Sequence, residues 1–196
     1  KKNLIEIMNI QNSDKIIDVG SGTGDLVKIM QRKTPSVSIT SIDLNFEMLK
    51  YGKNNFANNK NINWINCNAE KLPFQDDLFD KYIISFCLRN VTDIYKTLKE
   101  SFRVLKEGGE FFCLEFSTVD SQVLNTIYNT YKKTFIPFLG QYITSQKNAY
   151  KYLSESIDNF PNQEILSGKL AKTGYKEVSY KNLFGGIVSI HKGWKV

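Results

Sequence analysis

Histidine is almost missing from this chain: His191 is the single one among 196 residues. Cysteine is scarce too, with Cys67, Cys87 and Cys113 forming no Cys-x-x-Cys pair and no other metal-ligand spacing. Structural zinc, dithiol redox chemistry and histidine-centred acid–base catalysis therefore have no residues to work with, and no metal site is expected. The three thiols read as buried and free in a reducing compartment. No apolar run approaches the length of a bilayer span, and the start carries no secretory pattern. The chain opens on Lys1-Lys2-Asn3-Leu4 with no initiator Met, so a preceding segment is expected.

What is present is ordinary for one globular domain covering residues 1–196: 41% hydrophobic and 23% charged residues. The net charge of +6 admits nucleic acid or an anionic membrane as partner. Lys and Asn are spread through the whole chain, so a compositional bias explains the charge equally well.

The richest stretch is Ile17-Asp18-Val19-Gly20-Ser21-Gly22-Thr23-Gly24-Asp25, with Ser41-Ile42-Asp43 beyond it. It reads as strand, glycine turn, helix start, second strand and an acid at that strand's tip. Glycines let backbone N–H groups approach a ligand closely, and a carboxylate about 20 residues on can hold ribose hydroxyls. A dinucleotide site would want Gly-x-Gly-x-x-Gly, but here the glycines fall at 20, 22 and 24 and Asp25 opens the helix. An aspartate there repels a pyrophosphate and suits a cation. S-adenosylmethionine carries a sulfonium and an ammonium and no phosphate, so this is the methyltransferase form of the turn. The competing reading is a glycine loop with a structural role alone.

Strand and helix patterns alternate through the first 115 residues, which predicts a parallel sheet covered on both faces. Strands are expected at 15–19, 37–43, 62–66, 81–86 and 110–115. Helices are expected at 3–10, 25–33, 45–58 (Asn45 as N-cap; Phe46, Leu49 and Phe56 as apolar marks) and 93–105, with Gly108-Gly109 as C-cap and turn. Residues 118–160 read as a helical, aromatic cap inserted after strand five, carrying Tyr128, Tyr131, Phe135, Phe138, Tyr142, Tyr150, Tyr152 and Phe160. Core packing accounts for such rings as readily as an apolar acceptor pocket does. A helix at 162–173 and a hairpin of 177–183 with 187–192 around Gly185-Gly186 complete the pattern. The fold class is thus α/β, a Rossmann-like sheet of seven strands, mostly parallel, with the last strand inserted antiparallel.

Ligands of open α/β sheets lie at the carboxyl ends of the strands. That edge collects the candidate cofactor-binding residues Asp18, Gly20, Gly22, Thr23, Gly24, Asp43, Leu44, Asn68, Ala69 and Ser85. Asp43 would take the ribose, Thr23 adds a hydroxyl, and Asn68 faces the adenine edge unless it merely closes a turn. The segment after strand four, Ser85-Phe86-Cys87-Leu88-Arg89-Asn90, faces the reacting methyl. It is neither the Asp/Asn-Pro-Pro-Tyr nor the Pro-Cys of nucleic-acid methylation, which argues against nucleic acid as substrate. Arg89 there is either a salt-bridge partner for a helix-end acid or a fixed cation for an oxyanion.

Further stretches make a specific resemblance. They are Asn68-Ala69-Glu70-Lys71-Leu72-Pro73-Phe74, Leu88-Arg89-Asn90-Val91-Thr92-Asp93, Arg103-Val104-Leu105-Lys106-Glu107-Gly108-Gly109, Leu114-Glu115-Phe116-Ser117, Tyr152-Leu153-Ser154-Glu155-Ser156-Ile157 and Gly185-Gly186-Ile187-Val188. With the glycine turn they run, in order and across nearly the whole chain, like the ubiquinone/menaquinone-biosynthesis carbon methyltransferases, the UbiE-like family. The chain departs in having Ser21 where the family often has Cys and Glu107 where Pro is usual. The family's upstream segment, with a Tyr-Asp pair that helps close the pocket, is absent from this chain.

The resemblance implies methyl transfer from S-adenosylmethionine to a ring carbon of a polyprenyl benzoquinol or a demethylmenaquinol. It implies Arg89 and Asn90 as the catalytic pair, stabilising a phenolate or orienting a water that takes its proton. Asp43 or the upstream Asp is the candidate carboxylate beside that water. It implies a peripheral membrane enzyme, at the mitochondrial inner membrane on the matrix side or at the inner membrane face of a bacterial cytoplasm. Lys132, Lys133, Lys147 and Lys151 on the cap are the candidate docking face. A homodimer and a quinone-biosynthesis complex are the implied assemblies. The rival readings are another small-molecule methyltransferase of this fold, a non-catalytic subunit of such a complex and, most weakly, a nicotinamide dehydrogenase.

Overall fold

The protein is described by a computed structural model covering residues 1–117 and 146–196, with backbone alone for 146–150. Of the expected cap, Tyr128, Tyr131, Phe135, Phe138 and Tyr142 lie outside the described residues, as do Lys132 and Lys133 and the side chains of Lys147 and Tyr150.

The elements run α1 (Lys2–Ile7), β1 (Lys15–Val19), α2 (Asp25–Lys33), β2 (Ser38–Asp43), α3 (Phe46–Asn55), β3 (Ile62–Asn66) and β4 (Phe79–Ser85). A 3-10 turn (Leu88–Asn90) leads to α4 (Ile94–Val104) and β5 (Leu105–Phe116). Then follow α5 (Gln146–Asp158), α6 (Gln163–Thr173), β6 (Lys176–Leu183) and β7 (Val188–Trp194). The seven strands form one sheet in the order β3-β2-β1-β4-β5-β7-β6. β7 runs antiparallel between β5 and β6, and the other neighbours pair in parallel. The expected seven-stranded sheet with its inserted antiparallel last strand is therefore found.

Alternate side chains of the central strands feed two cores. Ile16, Ile39, Ile83, Phe112 and Leu114 pack against α1, α2 and Leu153 and Ile157 of α5. Ile17, Ile42, Tyr82, Ile84, Phe111 and Cys113 pack against Leu98 of α4 and Leu166 and Leu170 of α6. A central strand covered on both faces has no use for polar alternation, which explains the continuous apolar runs of β1, β4 and β5.

Three local expectations need correction. Gly108-Gly109 does not cap α4. The helix stops at Val104 because Leu105 is already extended and pairs with Phe79 of β4. The two glycines instead shape a bulge in β5, where Gly108 and Gly109 exchange backbone hydrogen bonds with Lys195. Phe46 does not mark a buried face, being 59% exposed. The buried side of α3 is Met48, Leu49 and Gly52. Asn45 does cap that helix, accepting from the N–H groups of Glu47 and Met48.

Four lysines are paired with acids at the amino ends of the strands, away from the ligand edge. There Lys81 and Lys192 pair with Glu110, Lys106 with Asp80, and Lys195 with Asp77.

Candidate functional site

The strand order reverses between β1 and β4, so the crevice of this sheet opens at their carboxyl ends. Two loops flank it. The turn after β1 carries Gly20, Gly22 and Gly24, all left-handed at φ +67°, +56° and +86°. A side chain at either of the first two would be strained, but for different spatial reasons. A Cβ on Gly20 would lie 2.2 Å from Cys87 Sγ, in the loop after β4. A Cβ on Gly22 would meet nothing within 4 Å among the described residues. Gly20 thus lets the two loops interlock, and Gly22 borders open space that a ligand can fill.

Asp43 ties this turn to β2. Its Oδ2 accepts from Gly22 N–H and its Oδ1 from Asn45 N–H, each at 2.8 Å. Burial raises the pKa of the carboxyl, and the two N–H donors oppose that shift. Each oxygen still has a lone pair for a ribose hydroxyl. Asn66 braces the same corner, its amide donating to the carbonyls of Asp43 and Leu44. Leu44 itself is 72% exposed, an apolar side chain projecting beside the acid.

Asp18 sits beneath the turn at 1% exposure, and neither of its carboxylate oxygens has a hydrogen-bond partner among the described residues. Burial lifts its pKa to about 7. The hydroxyls of Ser21 and Ser85 are likewise buried without a partner. Polar groups left so beside open space suit a ligand with several donors of its own. The donor-rich, cationic S-adenosylmethionine fits this set; a pyrophosphate beside Asp18 and Asp43 does not. Asp25, expected beside a cation, is an exposed residue paired with Lys1 at 2.9 Å.

After β3 the chain makes a tight turn in which Asn68 Oδ1 accepts from Glu70 N–H. Asn68 is exposed and Ala69 is half-buried. Glu70 reaches further, its Oε1 accepting from the N–H groups of Thr92 and Asp93 and so fastening the start of α4. Arg103 similarly holds the 72–76 loop through the carbonyls of Leu72 and Phe74 and the carboxylates of Asp76 and Glu100. Both are structural clamps that sequence reading passed over. The signal was faint: a charged residue just before a turn or in the last turn of a helix.

The loop after β4 carries Arg89. Its side chain is fully buried, with Nη1 2.7 Å from Glu115 Oε1 and 2.8 Å from the Phe86 carbonyl. The partner acid is in a strand and not at a helix end. Asn90 is exposed and accepts from the Tyr152 hydroxyl of α5 at 2.9 Å. Beside them opens a cleft of about 700 Å³ lined by Arg89, Val91, Asp93, Tyr152, Asn159 and Phe160, among others. Thr23 is half-buried in the glycine turn, and its backbone approaches α3 at Gly52.

Cys67, Cys87 and His191 are held out of play. Burial pushes the Cys67 thiol up to about 11 and that of Cys87 up to about 12. His191 is 1% exposed, hydrogen-bonded to the Gln163 carbonyl at 3.0 Å, and lowered in pKa by burial.

A doubly covered sheet of this order, with a glycine turn after β1 and an acid closing β2, defines a class I S-adenosylmethionine-dependent methyltransferase. Solved structures agree on the fold. A SAM-dependent methyltransferase from Aquifex aeolicus superposes with a TM-score of 0.74 at 14% identity, over 100% of this chain and 89% of that one. The chain belongs to the ubiE/COQ5 methyltransferase family, whose model matches residues 1–195. It is 44% identical to the ubiquinone/menaquinone biosynthesis C-methyltransferase UbiE of Bartonella quintana (strain Toulouse), over 93% of this chain and 72% of that protein. The same identity holds to the UbiE of Rickettsia prowazekii (strain Madrid E), over 97% and 80%.

Proposed function

We propose that the chain methylates a ring carbon of a polyprenyl benzoquinol, a demethylmenaquinol, or both. The observation that carries this reading is the interlock of Gly20 with Cys87, because it brings the cofactor turn and the Arg89-Asn90 turn to one crevice. S-adenosylmethionine, when bound, supplies an electrophilic methyl on a sulfonium.

A ring carbon is a poor nucleophile until the neighbouring hydroxyl loses its proton. Arg89 is always charged and is already desolvated by its burial, so it favours the phenolate without reorganising. It is too weak an acid to serve as the base itself. Asn90 and the Tyr152 hydroxyl form a polar wall beside it that can orient the quinol ring or a water. The hydroxyl proton passes to water, and the electron pair of the phenolate moves through the ring to the ortho carbon, which forms the new bond to the methyl as the bond to sulfur breaks. That carbon then gives up its own proton to water, restoring the aromatic quinol and leaving S-adenosylhomocysteine. Asp18, Gly22 and Asp43 align the donor for this in-line displacement.

An acceptor with an isoprenoid tail resides in a bilayer, so the enzyme works at a membrane face. No helix among the described residues is long and apolar enough to cross one. Liposome flotation of the full-length protein tests this, with no co-flotation at any lipid composition counting against it.

The deciding experiment is methyl transfer from labelled S-adenosylmethionine by the full-length protein. A short-tailed demethylated methoxybenzoquinol and a demethylnaphthoquinol are offered in parallel. Label on the ring carbon of either supports the reading and identifies the acceptor. Tight cofactor binding with no label on either moves the assignment to another small-molecule acceptor or to a non-catalytic subunit.

A further inference from the structure

We propose that Glu115 is a positioning residue for Arg89, holding the guanidinium at a fixed place in the crevice so that the catalytic cation needs no reorganisation. The proposal rests on the reading of Arg89 given above and extends it to a residue with no role assigned so far.

Glu115 is the one charged side chain in Phe111–Phe116, a run of six buried residues at the carboxyl end of β5. Both members of the Arg89–Glu115 pair have side chains with 0% exposure. Oε1 accepts from Arg89 Nη1 at 2.7 Å and from Phe116 N–H at 2.8 Å. Oε2 accepts from the backbone N–H of Arg89 itself at 3.3 Å. The carboxylate therefore grips both ends of one residue. It fixes where the 3-10 turn starts and where its side chain ends. The Phe116 ring lies under the guanidinium at 5.3 Å and packs at a tilt against Phe86 at 4.7 Å, which blocks the lateral swing that one ionic contact would leave open.

A role in stability alone explains this poorly. A buried ion pair at best breaks even against a well-packed apolar pair of the same volume. Phe86 and Phe116 flank this one, and β5 already supplies apolar packing through Phe111, Phe112 and Leu114. With its oxygens engaged by three N–H donors, Glu115 is badly placed to touch a substrate or to act as a base. What remains is orientation: a planar cation held rigidly from behind and desolvated before the acceptor arrives.

The test uses the full-length protein carrying Glu115→Gln, Glu115→Asp, Arg89→Gln and the Arg89→Gln/Glu115→Gln pair. Cofactor affinity, melting temperature, and kcat and KM for a short-tailed quinol are measured on each. We expect Glu115→Gln to keep cofactor affinity within about twofold and to lower kcat by about a hundredfold, the scale of a small misplacement of a catalytic group. Glu115→Asp, which keeps the charge but draws it back by one methylene, should recover part of that loss. The double variant should be no slower than Arg89→Gln alone, because a residue acting through Arg89 has nothing left to position. If Glu115→Gln does not fold, Glu115→Asp carries the test: a lowered kcat at unchanged cofactor affinity supports the proposal. An unchanged kcat in the folded Glu115 variant, or multiplicative losses in the double variant, overturns it. If Arg89→Gln is itself fully active, the reading of Arg89 falls and this proposal with it. An inactive Arg89→Gln beside an active Glu115→Gln overturns the proposal alone.

Discussion

Tyr152 donates its hydroxyl to Asn90 Oδ1 at 2.9 Å, and this one bond ties helix α5 to the turn that carries Arg89. It joins residues 62 positions apart, and Tyr152 itself lines the 700 Å³ cleft. Replacing Tyr152 by Phe removes the bond and keeps the ring. A neutral hydrogen bond of this kind is worth about 1 kcal/mol. We expect KM for the quinol to rise about three- to tenfold with cofactor affinity unchanged, read from steady-state kinetics and equilibrium binding. An unchanged KM removes Asn90 and Tyr152 from the acceptor wall.

Gly20 and Gly22 should fail in opposite ways. Alanine at Gly20 drives a methyl into Cys87 and strains a left-handed residue, for a combined loss of about 2–4 kcal/mol. The melting temperature falls sharply. Alanine at Gly22 meets no atom of the described residues and costs the backbone strain alone, about 1 kcal/mol. That variant should fold and lose cofactor affinity by tenfold or more, because its methyl enters the ligand's space. Thermal melts paired with cofactor titrations separate the two, and a Gly22→Ala protein with full affinity would falsify the placement of the cofactor at this turn.

Asp18 makes the stability of the ligand-free protein depend on pH. Its folded pKa, about 7, lies above the ordinary 3.8, so the folded state binds the extra proton between those values. The contribution is fully present below about pH 4 and is lost as pH rises to 7, a cost of a few kcal/mol at neutral pH. Asp18→Asn removes the titration. The expected result is a variant more stable than the parent at pH 8 and similar to it near pH 4. Equal melting temperatures of the two proteins across that range count against a raised Asp18.

Glu70→Ala leaves two N–H groups at the start of α4 without their acceptor. Loss of such a cap costs about 1–2 kcal/mol. For a domain of this size that lowers the melting temperature by roughly 2–8 °C. Hydrogen exchange should locate the loosening at Thr92 and Asp93. A loss of protection spread over the whole sheet would contradict the local role.

How much of this was legible in advance varies from residue to residue. The glycine spacing, the distal Asp43 and the Asn45 cap could be read directly, because each acts over one turn or one strand and leaves a local pattern. The strands could be read because those buried on both faces are mostly apolar, with Asp18 and Glu115 as buried exceptions near their carboxyl ends. Gly108-Gly109 misled because a helix C-cap and a β-bulge both call on glycine's left-handed backbone; pairing of Leu105 with Phe79 decided between them. Phe46 misled because its hydrophobicity says nothing about which way a helix turns its face.

By itself, then, the sequence determined the sheet, the glycine turn and the family, since these rest on short-range geometry and on motifs in order. Only the tertiary structure decided the partners of the long side chains. Arg89 finds Glu115 26 positions away, Tyr152 finds Asn90, and Glu70 finds the start of α4. Such pairings depend on where separate strands and helices end in space. A buried charge takes whichever counter-charge the packed sheet brings within about 3 Å, and nothing in the local chain encodes that meeting.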